Sequence, residues 1–167
     1  MQYFRKRWKT EGGYHEFLVI AVPLILSTGA WAVQHFVDRM FLSWYSAEAI
    51  AASLPAGILN FCIMSLFIGT ASYVSTFVAQ YYGAGRLHRV GPAVWQGVYV
   101  SIFGGIVLIC MIPFAWPIFS LIAHDPLTQR YEVEYFRILC LGSGPAIAAT
   151  GLAGFFSGRG RTWPVMW

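Results

Sequence analysis

The sequence predicts an all-α, polytopic membrane helix bundle, and three observations carry that expectation. The 167-residue chain is 57% hydrophobic and only 11% charged, where an ordinary soluble domain holds about 25% charged residues. Its charges leave four uninterrupted stretches, Phe17–Val37, Ala49–Gly85, Val90–Ala123 and Ile138–Gly158, each at least 21 residues long. Its bases gather in alternate segments between those stretches: Arg5, Lys6, Arg7 and Lys9, then Arg86 and Arg89, then Arg159 and Arg161. A soluble globule of this size cannot hide so much apolar surface. Disorder is excluded too, because disordered chains are poor in aromatics, whereas 17% of these residues are aromatic and the mean hydropathy is +0.59.

Each predicted element follows from those gaps. About 20 apolar residues cross a bilayer as a helix, while a barrel strand needs only about 9–11 alternating ones. A basic tail covers residues 1–15, and the first helix covers about 16–43. The second runs over about 50–82 and stops at Tyr82-Gly83-Ala84-Gly85-Arg86, where glycines end helices. The third covers about 91–119, with Pro113 and Pro117 near its far end, and the fourth about 128–157. Ser157-Gly158-Arg159-Gly160-Arg161 turns the chain again, and a fifth helix starts at about 162, with Pro164 in its first turn. An arginine turn followed by apolar residues is how another span begins. The chain therefore reads as an N-terminal piece of a longer transporter-like protein, about a third of it.

Orientation follows from the positive-inside bias. With the N-terminus in the cytoplasm, eight of the eleven bases lie inside, against Arg39, Arg130 and Arg137 outside. Trp8, Trp44, Trp116 and Trp163 fall near helix ends, where amphipathic rings settle. The expected location is the bacterial inner (plasma) membrane, with the lipid bilayer as partner. The scattered bases make no nucleic-acid footprint. Arg5-Lys6-Arg7 with Ala30-Trp31-Ala32 imitates a cleavable signal, but the apolar stretch exceeds the roughly 7–15 residues of a signal core, so the first helix is retained. Cys62, Cys110 and Cys140 sit inside apolar runs without zinc or CxxC spacing, and read as small packing residues.

The chemistry concentrates in the first helix. Ser27, Trp31, Gln34, Asp38 and Tyr45 fall within about a 60° stripe at 100° per residue. Gln34, His35 and Asp38 are spaced to share one site. An ionisable residue in a membrane helix costs at least about 2.5–3.5 kcal/mol near the centre, so it normally faces a cavity and has a task. Asp38 is thus a candidate carrier of H⁺ or a ligand of Na⁺; alternatively it forms a neutralising pair with Arg39 at the outer interface. Trp31, Gln34, His35 and Asn60 are candidate cavity-lining residues.

Ser65, Gly69, Ser72, Thr76 and Gln80 make a row on the second helix that reads mainly as a packing face. Gly154 and Gly158 form a weaker small-residue pair at a helix end. Arg130, Glu134 and Arg137 read as an interfacial charge cluster. Gly158-Arg159-Gly160-Arg161-Thr162 lacks the lysine and the strand of a phosphate loop. With no Ser/His/Asp, Cys/His or paired-carboxylate pattern, nothing points to an enzyme, and no cofactor is implied beyond a coupling ion.

Three motifs in order carry a family resemblance. Val22-Pro23 with Phe36-Val37-Asp38-Arg39, then Ala79-Gln80-Tyr81-Tyr82-Gly83-Ala84-Gly85-Arg86, then Gly154 to Pro164 resemble the first helix, the second-helix end and the turn after the fourth helix of the multidrug and toxic compound extrusion (MATE) family. The resemblance implies a twelve-helix fold of two lobes that exports organic, often cationic, compounds in exchange for Na⁺ or H⁺. It implies that Asp38 is the acidic coupling residue of the N-terminal lobe, and that Pro23 marks where the first helix bends. Helices five and six and the second lobe, the remaining portion of the transporter, are lacking, so these spans alone are expected not to transport. A related flippase for lipid-linked sugars and a small membrane scaffold are the alternative readings.

Overall fold

The computed structural model describes residues 14–122 and 124–166, so the basic tail up to Gly13, with Trp8, lies outside the described residues, as do Ala123 and Trp167. Four long helices dominate: α1 (Tyr14–Tyr45), α2 (Ala47–Gly83), α3 (Val90–Met111) and α5 (Pro126–Ser157). Two short ones, α4 (Ala115–Ser120) and α6 (Trp163–Met166), complete the described helices, and no strand occurs among the described residues. Each of four segments, Phe17–Tyr45, Ala47–Gly83, Leu87–Ser120 and Pro126–Ser157, is long and apolar enough to cross a membrane. Large side chains such as Phe17, Ile25, Leu66, Phe103 and Ile138 stand exposed along them.

Local chemistry sets the ends of these helices. Ser46 begins α2 by accepting the Ala49 N–H at 3.0 Å on its hydroxyl, and Asp125 begins α5 by accepting the Leu127 N–H at 3.2 Å. These two caps start the helices at Ala47 and Pro126, earlier than the apolar pattern suggests. The other ends of α2 and α5 repeat one device. Gly85 and Gly160 both adopt φ of 70°, the left-handed region open to glycine. Arg86 then donates its N–H to the Tyr81 carbonyl, and Arg161 to the Phe156 carbonyl, at 2.9 and 3.0 Å. Each is a Schellman closure that places an arginine just past the last turn.

The third span differs from the single helix expected over about 91–119. Pro113 cannot donate to the Ile109 carbonyl, which instead accepts from Ile112. A 3₁₀ turn at Ile112–Phe114 results, and the span resumes as α4. Pro23, Pro55 and Pro145 sit inside helices that continue through them.

The core forms where α5 packs along α2 and α3. The α2 and α5 helices run parallel, and α3 runs antiparallel to both, as the paired residues Phe67 with Gly104, Gly97 with Gly151 and Gly105 with Gly144 require. Glycine lets the backbones approach. A Cβ at Gly97 meets Val74 Cγ2 at 2.6 Å, and one at Gly105 meets Gly144 Cα at 3.1 Å. A Cβ at Gly158 meets the Ser75 carbonyl oxygen at 2.5 Å, and one at Gly154 the Ser75 nitrogen at 2.9 Å. The packing face therefore belongs to these glycines of α3 and the α5 end. The row Ser65, Gly69, Ser72, Thr76 and Gln80 is exposed, and a Cβ at Gly69 meets nothing within 4 Å. That corrects the expectation from spacing: small residues at three- and four-residue intervals permit close approach but do not say which face is used.

Around this seam Phe67, Leu108, Phe119, Phe136, Cys140 and Ile147 form one buried cluster. Cys140 is buried in it, whereas Cys62 and Cys110 are exposed on the outer faces of the bundle. The α1 helix lies outside this block: 6% of its apolar window is buried, against 28% in each of the other three spans.

Gly158→Val is expected to destabilise the bundle by about 1–3 kcal/mol through overpacking against Ser75. Gly69→Ala, with open space around it, is expected to be neutral or stabilising by up to about 1 kcal/mol. Unfolding in mixed detergent, followed by circular dichroism, separates the two.

Candidate functional site

The two ends of the bundle differ in charge. Asp38, Glu48, Asp125, Glu132 and Glu134 lie, with Arg39, Arg130 and Arg137, at the end where α1 finishes and α2 and α5 begin. At the opposite end, Arg86, Arg89, Arg159 and Arg161 follow the terminations of α2 and α5. Arg159 lies over the rings of Tyr82 and Phe155, at 5.4 and 5.0 Å from their centroids.

At the carboxylate end the half-buried Asp38 meets α5. The Tyr135 hydroxyl donates to Asp38 Oδ2 at 3.0 Å, joining residues 97 positions apart. About two turns past Asp38 on α1 and one turn before Tyr135 on α5, Tyr45 and Tyr131 pack edge to face, with centroids 6.0 Å apart. The two contacts together hold the last third of α1 against the start of α5. No ion pair joins Asp38 to Arg39 among the described residues, so the neighbouring guanidinium is not what satisfies this carboxylate. Tyr135 is.

The other sequence candidates are distributed differently. Trp31, Gln34 and His35 are exposed on α1, with the Trp31 and His35 rings 6.4 Å apart. Neither Gln34 nor His35 hydrogen-bonds to Asp38 among the described residues. Pro23 is fully buried. Asn60 does not line an open wall: it is 5% exposed and donates to Ser143 Oγ at 3.1 Å across the α2–α5 seam. Its amide is too costly to leave unpaired in an apolar interior, so it turns inward to a hydroxyl. Arg130 and Glu134 approach at 3.6 Å with both side chains exposed, whereas Arg137 joins no ion pair among the described residues.

Glu132 is the second finding that spacing had concealed among the surface charges. It is fully buried, and its Oε1 lies 2.6 Å from Nδ1 of the half-exposed His124. Its second oxygen, Oε2, has no hydrogen-bond partner among the described residues. The signal was present in the periodicity, because Glu132, Phe136, Cys140, Ser143 and Ile147 recur at three- and four-residue intervals and all are buried.

For a cation, the arrangement offers one carboxylate oxygen pair and one phenol at Asp38 and Tyr135. Among the described residues no group of three or more His, Cys, Asp or Glu side chains could hold a metal ion. An ionised carboxylate accepts several bonds, so Asp38 retains free acceptor sites beside the phenol. It can take a proton or contribute to an oxygen shell around Na⁺.

The fold defines a polytopic integral membrane protein built on four helical spans. The MatE family model matches residues 23–167, and the chain belongs to the MatE family, in agreement with the resemblance of its helix-end motifs. It is 28% identical over 160 residues to the Probable multidrug resistance protein NorM of Synechocystis sp., covering 96% of this chain and 35% of that protein. It is 25% identical to a NorM of the same description from Bradyrhizobium diazoefficiens, over 91% of this chain and 33% of the relative. Over 77% of this chain and 28% of the relative, it is 30% identical to the Multidrug resistance protein MdtK of Klebsiella pneumoniae. The chain thus spans about a third of the length of the curated relatives it matches. No solved structure is a significant match.

The buried pair gives a prediction specific to this end of the bundle. His124→Ala leaves the Glu132 carboxylate unpaired and is expected to destabilise by about 1–3 kcal/mol or more. Glu132→Gln removes the buried charge yet keeps an acceptor for His124, so its loss is expected to be smaller. Thermal unfolding of both variants at pH 7 ranks them.

Proposed function

We propose that these four spans form part of one lobe of a secondary antiporter that exports small organic, cationic compounds in exchange for inward Na⁺ or H⁺. Asp38 carries the coupling ion. The observation that supports this most directly is the Tyr135–Asp38 hydrogen bond, which ties the least-packed helix to the packed block through a titratable group. The names of the relatives, multidrug resistance proteins, support the efflux direction.

The chemistry follows from that bond. A phenol donating to an ionised carboxylate makes a charge-assisted bond, roughly twice as strong as a neutral one. A proton or Na⁺ on Asp38 neutralises the acceptor and competes with the phenol. Ion occupancy therefore changes how firmly α1 is held to α5, and a ligand shifts a conformational equilibrium only through such a difference between states. Pro23 withholds one helical hydrogen bond from α1 and gives it a place to bend. Trp31, Gln34 and His35, exposed on the same helix, offer an aromatic face and polar groups to an organic cation. Lipid on the outer faces and the rest of the transporter are the partners this reading requires. In this reading the N-terminus lies in the cytoplasm and the bundle in the bacterial inner membrane; the arginine-rich end supports the orientation.

In a transport-active protein containing these spans, Asp38→Asn is expected to abolish cation-coupled efflux without loss of membrane insertion. Tyr135→Phe is expected to weaken coupling by roughly tenfold or more, the equivalent of a hydrogen bond to a charged group of about 1.5–3 kcal/mol. Dye efflux from inverted vesicles measures both. Unchanged efflux in inserted Asp38→Asn protein contradicts the assignment.

A further inference from the structure

At the arginine end, a groove of about 1060 Å³ runs between α2 and α3. It is separate from the Asp38 site, and α1 contributes nothing to it. Its mouth carries His88 and Arg89; its walls carry Tyr81, Phe77 and Gly69, and it ends at Ser65. The Phe77 and Tyr81 rings stack at 6.4 Å. Space beside Gly69 is open, since a Cβ there meets nothing within 4 Å.

We propose that this groove binds one anionic phospholipid, with the headgroup phosphate at Arg89 and His88 and an acyl chain laid along Phe77, Tyr73 and Gly69. Three features argue for that occupant. The first is length: Ser65 to Tyr81 is about 24 Å of helix at 1.5 Å per residue, enough for an acyl chain crossing one leaflet of a core about 30 Å thick. The second is polarity, which is graded: the groove is mainly apolar along the helices and basic only at its mouth. The third is charge complementarity. Among the described residues no carboxylate lies within ion-pair distance of Arg86 or Arg89, so the mouth offers uncompensated positive charge. A basic pocket between transmembrane helices on the cytoplasmic side suits an anionic headgroup. The same charge repels an organic cation, which sets this groove apart from a substrate path. Placing the lipid in the cytoplasmic leaflet rests on the orientation proposed above; the binding itself does not.

Native mass spectrometry of the full chain, released from detergent with phosphatidylglycerol or phosphatidylcholine of matched acyl chains, tests this independently of orientation. The wild type is expected to retain one phosphatidylglycerol, bound about five- to tenfold tighter than phosphatidylcholine, in line with about 1 kcal/mol per basic residue. Arg89→Ala with His88→Ala is expected to erase that preference while leaving phosphatidylcholine binding as it was. Gly69→Leu, whose Cβ meets nothing within 4 Å, is expected to lower retention of both lipids. Equal retention of the two lipids by the wild type overturns the proposal. So does displacement of the lipid by millimolar inorganic phosphate, which marks a simple anion site. A dimer of the chain in place of lipid adducts overturns it as well, by assigning the groove to a second copy.

Discussion

Lipid tails are as apolar as leucine, so hiding apolar side chains from lipid gains almost nothing, and helices in a bilayer adhere through close approach. Everything else in this bundle depends on the glycines that permit it. Gly97 faces Gly151, Gly105 faces Gly144, and Gly154 and Gly158 lie directly on Val74, Ser75 and Val78. At Gly97, Gly154 and Gly158 a neighbour's backbone or a β-branched side chain occupies the space a Cβ needs, and at Gly105 the Gly144 backbone lies 3.1 Å from it. The result is a three-helix block of α2, α3 and α5, with one polar link inside it, Asn60 to Ser143. The α1 helix has no comparable glycine seam: a Cβ at its one described glycine, Gly29, meets nothing within 4 Å.

That contrast gives the site its character. In the proposed mechanism, a carboxylate on a loosely packed helix, bonded to a phenol on a tightly packed one, converts its own occupancy into a change in helix position. A carboxylate inside the block cannot do this, and Glu132 illustrates the difference: it is fully enclosed and held by His124, on the loop before its own helix. Two acids in different surroundings thus sit at the same end of the bundle. Their surroundings, not their residue type, separate a movable link from a fixed one.

The spans, their order and the Asp38 position were legible because a bilayer imposes length and charge rules on every segment separately. Turn chemistry at Gly85 and Gly160 was legible for the same reason, since a Schellman closure is local. Tyr135 was not, because a phenol on α5 gains meaning only once the fold brings it to Asp38, 97 residues away. Asn60 reads from sequence as a cavity-wall residue, since an amide in an apolar run signals a polar neighbour without saying whether that neighbour is solvent or Ser143. The small-residue row of α2 misled for a parallel reason: helix spacing defines faces, and only the partner's shape selects one. Glu132 could have been found, as it shares the period of the buried face.

In the proposed mechanism α1 moves against a rigid α2–α3–α5 block, and Asp38 restrains it. Spin labels on the exposed positions Val33, Ile138 and Ile58, with the three cysteines replaced by alanine, test it by pulsed electron paramagnetic resonance. A rigid block with a tethered α1 predicts that Asp38→Asn broadens or shifts the Val33–Ile138 distance distribution and leaves Ile58–Ile138 unchanged. If both distributions stay the same, or both broaden together, α1 is not a separate body held by Asp38.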